Sequence, residues 1–253
     1  MKPWLLLPLI GSILPLSAAT VTVTASSPYT TNFDDFIEGD DPSAAPGTFT
    51  GTNANGQSNT SIVQVPGQGF GMRQTSAGAV GSVTSNTIAT VNATGLTGTT
   101  GSQFSVSTTF VIDSFVASGV ANTSLNAASN STFGSGYRVV YTISSTTPSS
   151  IGGFTIAENG TTMTGVTTTG SNYTPVAGAV LTMTLTGFYN SATSVSLAGY
   201  LFDSNGTEIA RVTITDTSAQ VGNFFGMRTA VNGSGANESV TFTNFTLAVP
   251  EPA

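Results

Sequence analysis

Five acids crowd one short stretch of this sequence: Asp34, Asp35, Glu38, Asp40 and Asp41. Hard carboxylate oxygens so close together suit a calcium ion, which takes roughly six to eight oxygen ligands. Asp34, Asp35 and Glu38 lead that set of candidate metal ligands. The spacing does not match an EF-hand loop, and the neighbouring Gly39 and Pro42 favour a plain solvated acidic loop. Calcium is the one candidate cofactor.

Carboxylates could also do acid–base work. Glycoside hydrolysis needs two of them roughly 5–10 Å apart across the scissile bond. Glu38 and Asp40 have an i, i+2 spacing, but they flank Gly39 and precede Asp41-Pro42, so they read as loop. Glu158, Glu208, Glu238 and Glu251 stand alone. The chain has no histidine and no cysteine, which excludes a histidine-based triad, a Cys/His zinc site and a disulfide framework. Its only lysine is Lys2, so a phosphate-cradling loop with a lysine is absent as well. No catalytic residue is assigned, and the expectation is a protein that is not an enzyme.

Charged residues make up 7% of the chain, against roughly a quarter for an average domain, and the formal charge is −7. Without a basic patch, nucleic acid is not an expected partner. The few arginines, Arg73, Arg138, Arg211 and Arg228, are expected in structural salt bridges to acids such as Asp34, Asp35 or Asp113.

The elements that would position any site are strands. In the stretch from Ala179 to Asp216, Leu181, Met183 and Leu185 alternate with threonines. The alternation resumes at Val195, Leu197 and Leu201 after Asn190-Ser191-Ala192. It returns at Ile209, Val212 and Ile214 after Asp203-Ser204-Asn205-Gly206. Period-two apolar spacing broken by turn formers predicts three successive antiparallel strands, each with one buried face. Phe104, Val106, Phe110 and Ile112 share one parity in Gln103 to Asp113, as do Tyr137, Val139, Tyr141 and Ile143. Asn159-Gly160 predicts a type I′ hairpin between Gly153–Glu158 and Thr161–Thr167. Val116 to Ser135 carries little apolar signal and predicts a long loop. In the last strand Val240 and Phe242 share one parity and Phe245 and Leu247 the other, which predicts either a bulge or a strand that crosses from one sheet's core face to a different environment. Phe70-Gly71-Met72-Arg73 recurs as Phe225-Gly226-Met227-Arg228, a weak echo that two equivalent strands would explain. Roughly ten short strands without helical periodicity predict an all-β, two-sheet antiparallel β-sandwich over residues 20–248.

The ends carry addresses. Lys2 followed by the apolar run Trp4–Leu16 and by Ser17-Ala18-Ala19 has the layout of a secretory signal over residues 1–19. The run is too short for a membrane span of about 20 residues. Residues 249–253, with Val249, Pro250, Glu251 and Pro252, resemble the start of the bacterial PEP-CTERM sorting signal. That resemblance implies processing by an exosortase-type enzyme; the membrane helix and basic tail of the full signal do not follow within this sequence.

The strand rhythm resembles the concanavalin A-like lectin/glucanase superfamily in its laminin-G-like jelly-roll form. The residues that carry it are Asn32-Phe33-Asp34-Asp35-Phe36, Gln103 to Asp113, Phe224 to Arg228 and Val240 to Phe245. The resemblance implies first and last strands lying side by side, and a fold whose members include glycan binders and calcium holders. The glutamates here do not fall into the Glu-x-Asp-x-x-Glu form of the glucanase relatives. Sugar rings could stack on Tyr29, Tyr173, Tyr189 or Tyr200 if these face outward. The expectation is a non-catalytic exported protein of a bacterial cell surface or extracellular matrix, adhesive or binding extracellular polysaccharide. A self-associating structural surface protein and a diverged glucanase-like hydrolase are the alternatives.

Overall fold

The computed structural model describes residues 20–24, 27–40, 49–53, 58–77, 85–94, 96–116, 120–130, 134–143, 153–170, 173–232 and 237–249. The expected leader over 1–19, Asp41 and Pro250 to Ala253 lie outside the described residues. The described chain forms two sheets. The 8-stranded sheet runs β1 (Thr20–Thr22), β6 (Ser85–Thr94), β16 (Phe224–Asn232), β8 (Val120–Ser129), β9 (Tyr137–Ile143), β10 (Phe154–Glu158) and β11 (Thr161–Thr162), with β3 (Thr50–Asn53) also on β6. The 10-stranded sheet runs β12 (Thr167–Gly170), β15 (Glu208–Asp216), β14 (Ser194–Phe202), β13 (Val180–Ser191), β7 (Gln103–Val116), β17 (Asn237–Phe242), β5 (Gly69–Ala77) and β4 (Ser58–Val65). In it β18 (Phe245–Ala248) joins β7 to β2 (Tyr29–Thr31). All pairings are antiparallel except β1 with β6. The chain is thus an all-β, two-sheet sandwich. Its last strand, β18, lies beside the second strand, β2, while the first, β1, pairs with β6 in the other sheet, so the first and last strands are not the neighbours that the resemblance implied.

Parity builds the core. Leu181, Met183 and Leu185 of β13, Val195, Leu197 and Leu201 of β14 and Ile209 and Val212 of β15 are all buried. So are the like-parity sets of β7 and β9. Burial of these apolar faces against one another is the main stabilising contribution, at roughly 25 cal/mol per Å² removed from water. The sheets come close at Gly199, where a Cβ would lie 2.6 Å from Val139 Cγ2 of the opposite sheet and 2.8 Å from Val212 Cγ1 of its own, so no larger residue fits unshifted.

Turn chemistry agrees with the sequence where it is local. Asn159 (φ 48°) and Gly160 (φ 83°) have the paired positive φ of a type I′ turn. The hairpin is shorter than expected: only Thr161–Thr162 pair with β10, and the chain then crosses to lay β12 on β15 in the other sheet. The parity change near the end is a one-residue bulge. β17 pairs Phe242 with Phe110, β18 pairs Leu247 with Val106, and the residues between shift the register by one, so that Phe242 and Phe245 are both buried. Asn244 Oδ1 accepts the Thr109 N–H at 2.7 Å and fixes the bulge.

Two expectations fail. The stretch expected to be a loop holds β8, a strand between β16 and β9. Its inward residues are Ala121, Thr123, Leu125 and Ala127, too small or too polar to register as an apolar stripe. And 18 strands, not about ten, appear among the described residues, since polar segments such as β6 pair as well as apolar ones.

Candidate functional site

The three strands of clearest alternation also present the most distinctive surface. Opposite their buried faces, threonines and serines form cross-strand rows over β15, β14, β13 and β7. One row is Arg211, Tyr200, Thr184, Ser107; the next is Thr213, Ala198, Thr186, Ser105; the next is Thr215, Ser196, Phe188, Gln103. The parity that sends Thr182, Thr184 and Thr186 outward sends Phe188 outward too, and the residue is 41% exposed. These last two rows floor a groove of about 730 Å³, walled on one side by the Thr164–Thr167 crossover. The volume falls in the range of small-molecule sites, roughly 300–1,000 Å³.

Beyond Thr164, Ile214 and Thr215, which the two share, the groove adjoins a cleft of about 430 Å³ that contains Glu158 and Asp216. The two carboxylates arrive from different sheets, at the ends of β10 and β15. Asp216 is 5% exposed. Its Oδ2 accepts the Tyr137 hydroxyl at 2.5 Å, and its Oδ1 accepts the Ser218 N–H and hydroxyl. The Gln220 N–H donates to Tyr137 Oη at 2.8 Å, and Gln220 Nε2 donates to Glu158 Oε1 at 2.7 Å. Burial, reinforced by the charge of Asp216, raises the Glu158 pKa against the lowering effect of the Gln220 hydrogen bond. Burial and the bond to Asp216 raise that of Tyr137. The arrangement presents Glu158 to the cleft and holds Asp216 behind it as a fixed acceptor.

At the other end of the same face, Tyr200 and Phe202 stack at 6.1 Å with planes 12° apart, and the Arg211 guanidinium sits 5.1 Å over the Tyr200 ring. Arg211 Nη2 also pairs with Glu208 at 2.8 Å. The β14–β15 turn beside them is held by Asp203, whose Oδ1 accepts the Asn205 and Thr207 N–H groups.

Of the four tyrosines the sequence offered, only Tyr200 sits on this outer face. Tyr189 is buried, its hydroxyl donating to the Gln220 carbonyl at 2.6 Å and its pKa pushed up to about 12 by burial. Tyr29 packs its ring against Phe49 and Phe245, and Tyr173 is partly buried against the core. Phe188 went unnoticed, although extending the threonine parity by one step finds it.

The acidic stretch makes local hydrogen bonds. Asn32-Phe33-Asp34-Asp35-Phe36 is a turn that buries Phe33 and Phe36 while Asp34, Asp35 and Glu38 face solvent. Asp34 accepts from Asn32 Nδ2 and from the Phe70 N–H, and Asp40 accepts the Ile37 N–H. Among the described residues no three of Asp, Glu, His or Cys gather as a metal site. Arg73 pairs with Asp113 at 3.1 Å, one of the expected structural bridges. The echoed segments put Met72 and Met227 in the core, one from each sheet.

No family model and no curated protein matches this chain. Among solved structures, a protein of unknown function from Shewanella oneidensis MR-1 is similar over 100% of this chain and 98% of its own, at 12% identity and TM-score 0.53, which shows a common fold. A seed lectin of Lotus tetragonolobus is 13% identical over 89% of this chain and 100% of its own, at TM-score 0.44. A marine alginate lyase from Aplysia kurodai is 9% identical over 76% and 87%, at TM-score 0.46.

Proposed function

We propose that this chain is an exported, non-catalytic sandwich that contacts glycan through the outer face of its larger sheet. The observation that carries the reading is Phe188, an exposed aromatic ring in a groove where threonines and serines such as Thr186, Ser196 and Thr213 stand beside Gln103, Ala198 and Ile214. A sugar ring offers an apolar face and a rim of hydroxyls, and a ring-plus-hydroxyl groove complements both. Export rests on the leader-like residues 1–19, and placement at the cell surface or in a matrix rests on the Val249–Pro252 motif and its exosortase-type processing. Affinity electrophoresis through gels containing neutral polysaccharides tests the binding. Wild type is retarded by at least one of them and Phe188→Ala is not, with the same melting temperature; a wild type that runs unretarded in every gel removes the reading.

The Glu158–Asp216 pair favours one second reading, a hydrolase acting at the end of the groove. Against it, Asp216 is nearly sealed from solvent and spends both oxygens on hydrogen bonds. Reducing ends released from polysaccharide by wild type, but not by Glu158→Gln, would put the hydrolase in place of the binder.

A further inference from the structure

The opposite face of the molecule carries a second and chemically different groove. The outward residues of β16, β8, β9 and β10 enclose about 420 Å³, with Arg138 and Arg228 entering from β9 and β16 and Asn122, Ser124, Thr142 and Thr155 between them. Among the described residues no Asp or Glu lines it. In a chain of charge −7 whose arginines are so few, two of them facing one acid-free groove is not a solvated mixed surface.

Arg138 is partly buried, and among the described residues it has neither an ion pair nor a hydrogen-bond partner. Desolvation pulls its pKa down. Its cross-strand neighbour Asn126 shares the outward parity of Asn122 and Ser124, is wholly buried, and leaves both its amide nitrogen and its carbonyl oxygen unpaired. Buried polar groups normally find partners, and an unpaired charge out of water is costly. Guanidinium meets a planar oxyanion through two parallel charge-assisted hydrogen bonds. The carboxylate of β10, Glu158, belongs to the cleft on the other side of the hairpin and not to this groove.

We propose that the outer face of the smaller sheet binds an oxyanion-bearing sugar, a uronate or a sulfated residue of an acidic polysaccharide, with Arg138 as the principal anion contact. Asn122 Nδ2 and the Thr155 hydroxyl supply the neutral hydrogen bonds that a sugar needs and a bare ion does not, Asn122 Oδ1 already accepting the Thr142 hydroxyl at 2.8 Å. This site is independent of the groove on the larger sheet, so Phe188→Ala leaves it intact.

Calorimetric titration of the whole chain decides the matter, with oligogalacturonate, a sulfated oligosaccharide, a neutral oligosaccharide of the same length and inorganic sulfate as probes. The charged oligosaccharides bind, the neutral one and free sulfate bind at least tenfold more weakly, and affinity falls with added salt. Whichever charged sugar binds more tightly names the source of the oxyanion. Arg138→Gln loses tenfold or more, and Arg138→Lys, which keeps the charge but not the fork, recovers part of it. Circular dichroism and thermal melting confirm that both variants fold. Equal binding of charged and neutral sugars, or an Arg138→Gln variant that folds and binds as wild type, overturns the proposal.

Discussion

Threonine does two different jobs in this molecule. On the outer face of β13 to β15, Thr182, Thr184, Thr186 and Thr213 line a surface open to solvent and to whatever settles there. Between the sheets, Thr123 and Thr229 are wholly buried. There Thr123 Oγ1 donates to Glu238 Oε1 at 2.6 Å and Thr229 Oγ1 meets Ser76 Oγ at 3.0 Å. Glu238 and Ser76 are themselves paired across β17 and β5, so four residues join the two sheets through one polar clasp. On the outer face Thr182 shares its hydroxyl with Thr109 at 3.0 Å and Thr186 donates to the Ala198 carbonyl at 3.3 Å, bonds within the sheet that stay open to solvent, while the hydroxyls of Thr184 and Thr213 have no partner among the described residues. Of the inward ones, Thr123 spends its hydroxyl on a buried acid, which would otherwise carry a larger desolvation penalty, and Thr229 spends its own on the buried Ser76 hydroxyl. The difference lies not in residue type but in which face of the strand carries it and what stands across the gap.

Neighbouring positions of β13 test the parity behind this contrast most severely. Leu185→Ala empties core volume and costs about 2–5 kcal/mol in urea unfolding. Thr184→Ala, one residue away and facing out, stays within about 0.5 kcal/mol of wild type. Comparable losses at the two positions would break the contrast.

The clasp makes the next largest prediction. Burial pushes the Glu238 pKa up to about 8, against hydrogen bonds from Thr123 and the backbone that lower it. The folded state therefore holds its proton more tightly than the unfolded chain, where Glu titrates near 4.5. Stability from this group is complete below the unfolded pKa and is lost progressively as pH rises towards about 8. The difference in unfolding free energy between Glu238→Gln and wild type should move in the variant's favour across that window, since the amide never ionises. A difference independent of pH would mean that Glu238 is not held neutral. Thr123→Val, which removes the donor to Glu238 Oε1, should cost about 1–3 kcal/mol.

The smallest effect on folding sharpens the outer side. Phe188→Ala should shift stability by no more than about 0.5 kcal/mol, yet weaken glycan binding about tenfold, or ~1.4 kcal/mol. A variant that loses stability instead would place that ring among the packing residues.

Much of the fold was legible because it rests on local alternation. The strands β7, β9, β13, β14 and β15 announce themselves through large apolar residues at one parity; Asp203–Gly206 marks the β14–β15 turn and Asn159-Gly160 the β10–β11 turn. The bulge after Phe242 was legible as a parity change even without its partner strand. β8 was not, because Ala121, Thr123 and Ala127 bury small or hydroxyl-bearing faces that only the opposing sheet explains. The sites were hidden for the same reason. Glu238 finds Thr123 across 115 positions of chain, Asp216 finds Tyr137 across 79, and Arg138 shares its groove with Arg228 from a strand two places away. A sequence displays which face a side chain takes along its own strand, and conceals its neighbours from other strands. Asp216 is the intermediate case: it continues the inward parity of Val212 and Ile214, which marks it as a buried acid before any contact is known.

Threonine methyl NMR during titration with a neutral oligosaccharide tests the central claim most directly, because it watches both kinds of threonine at once. The account predicts that the methyl signals of Thr186 and Thr213 move with ligand while those of Thr123 and Thr229 stay still. Shifts at Thr123 and Thr229 with the outer signals unmoved, or no shift anywhere across a panel of oligosaccharides, would contradict it.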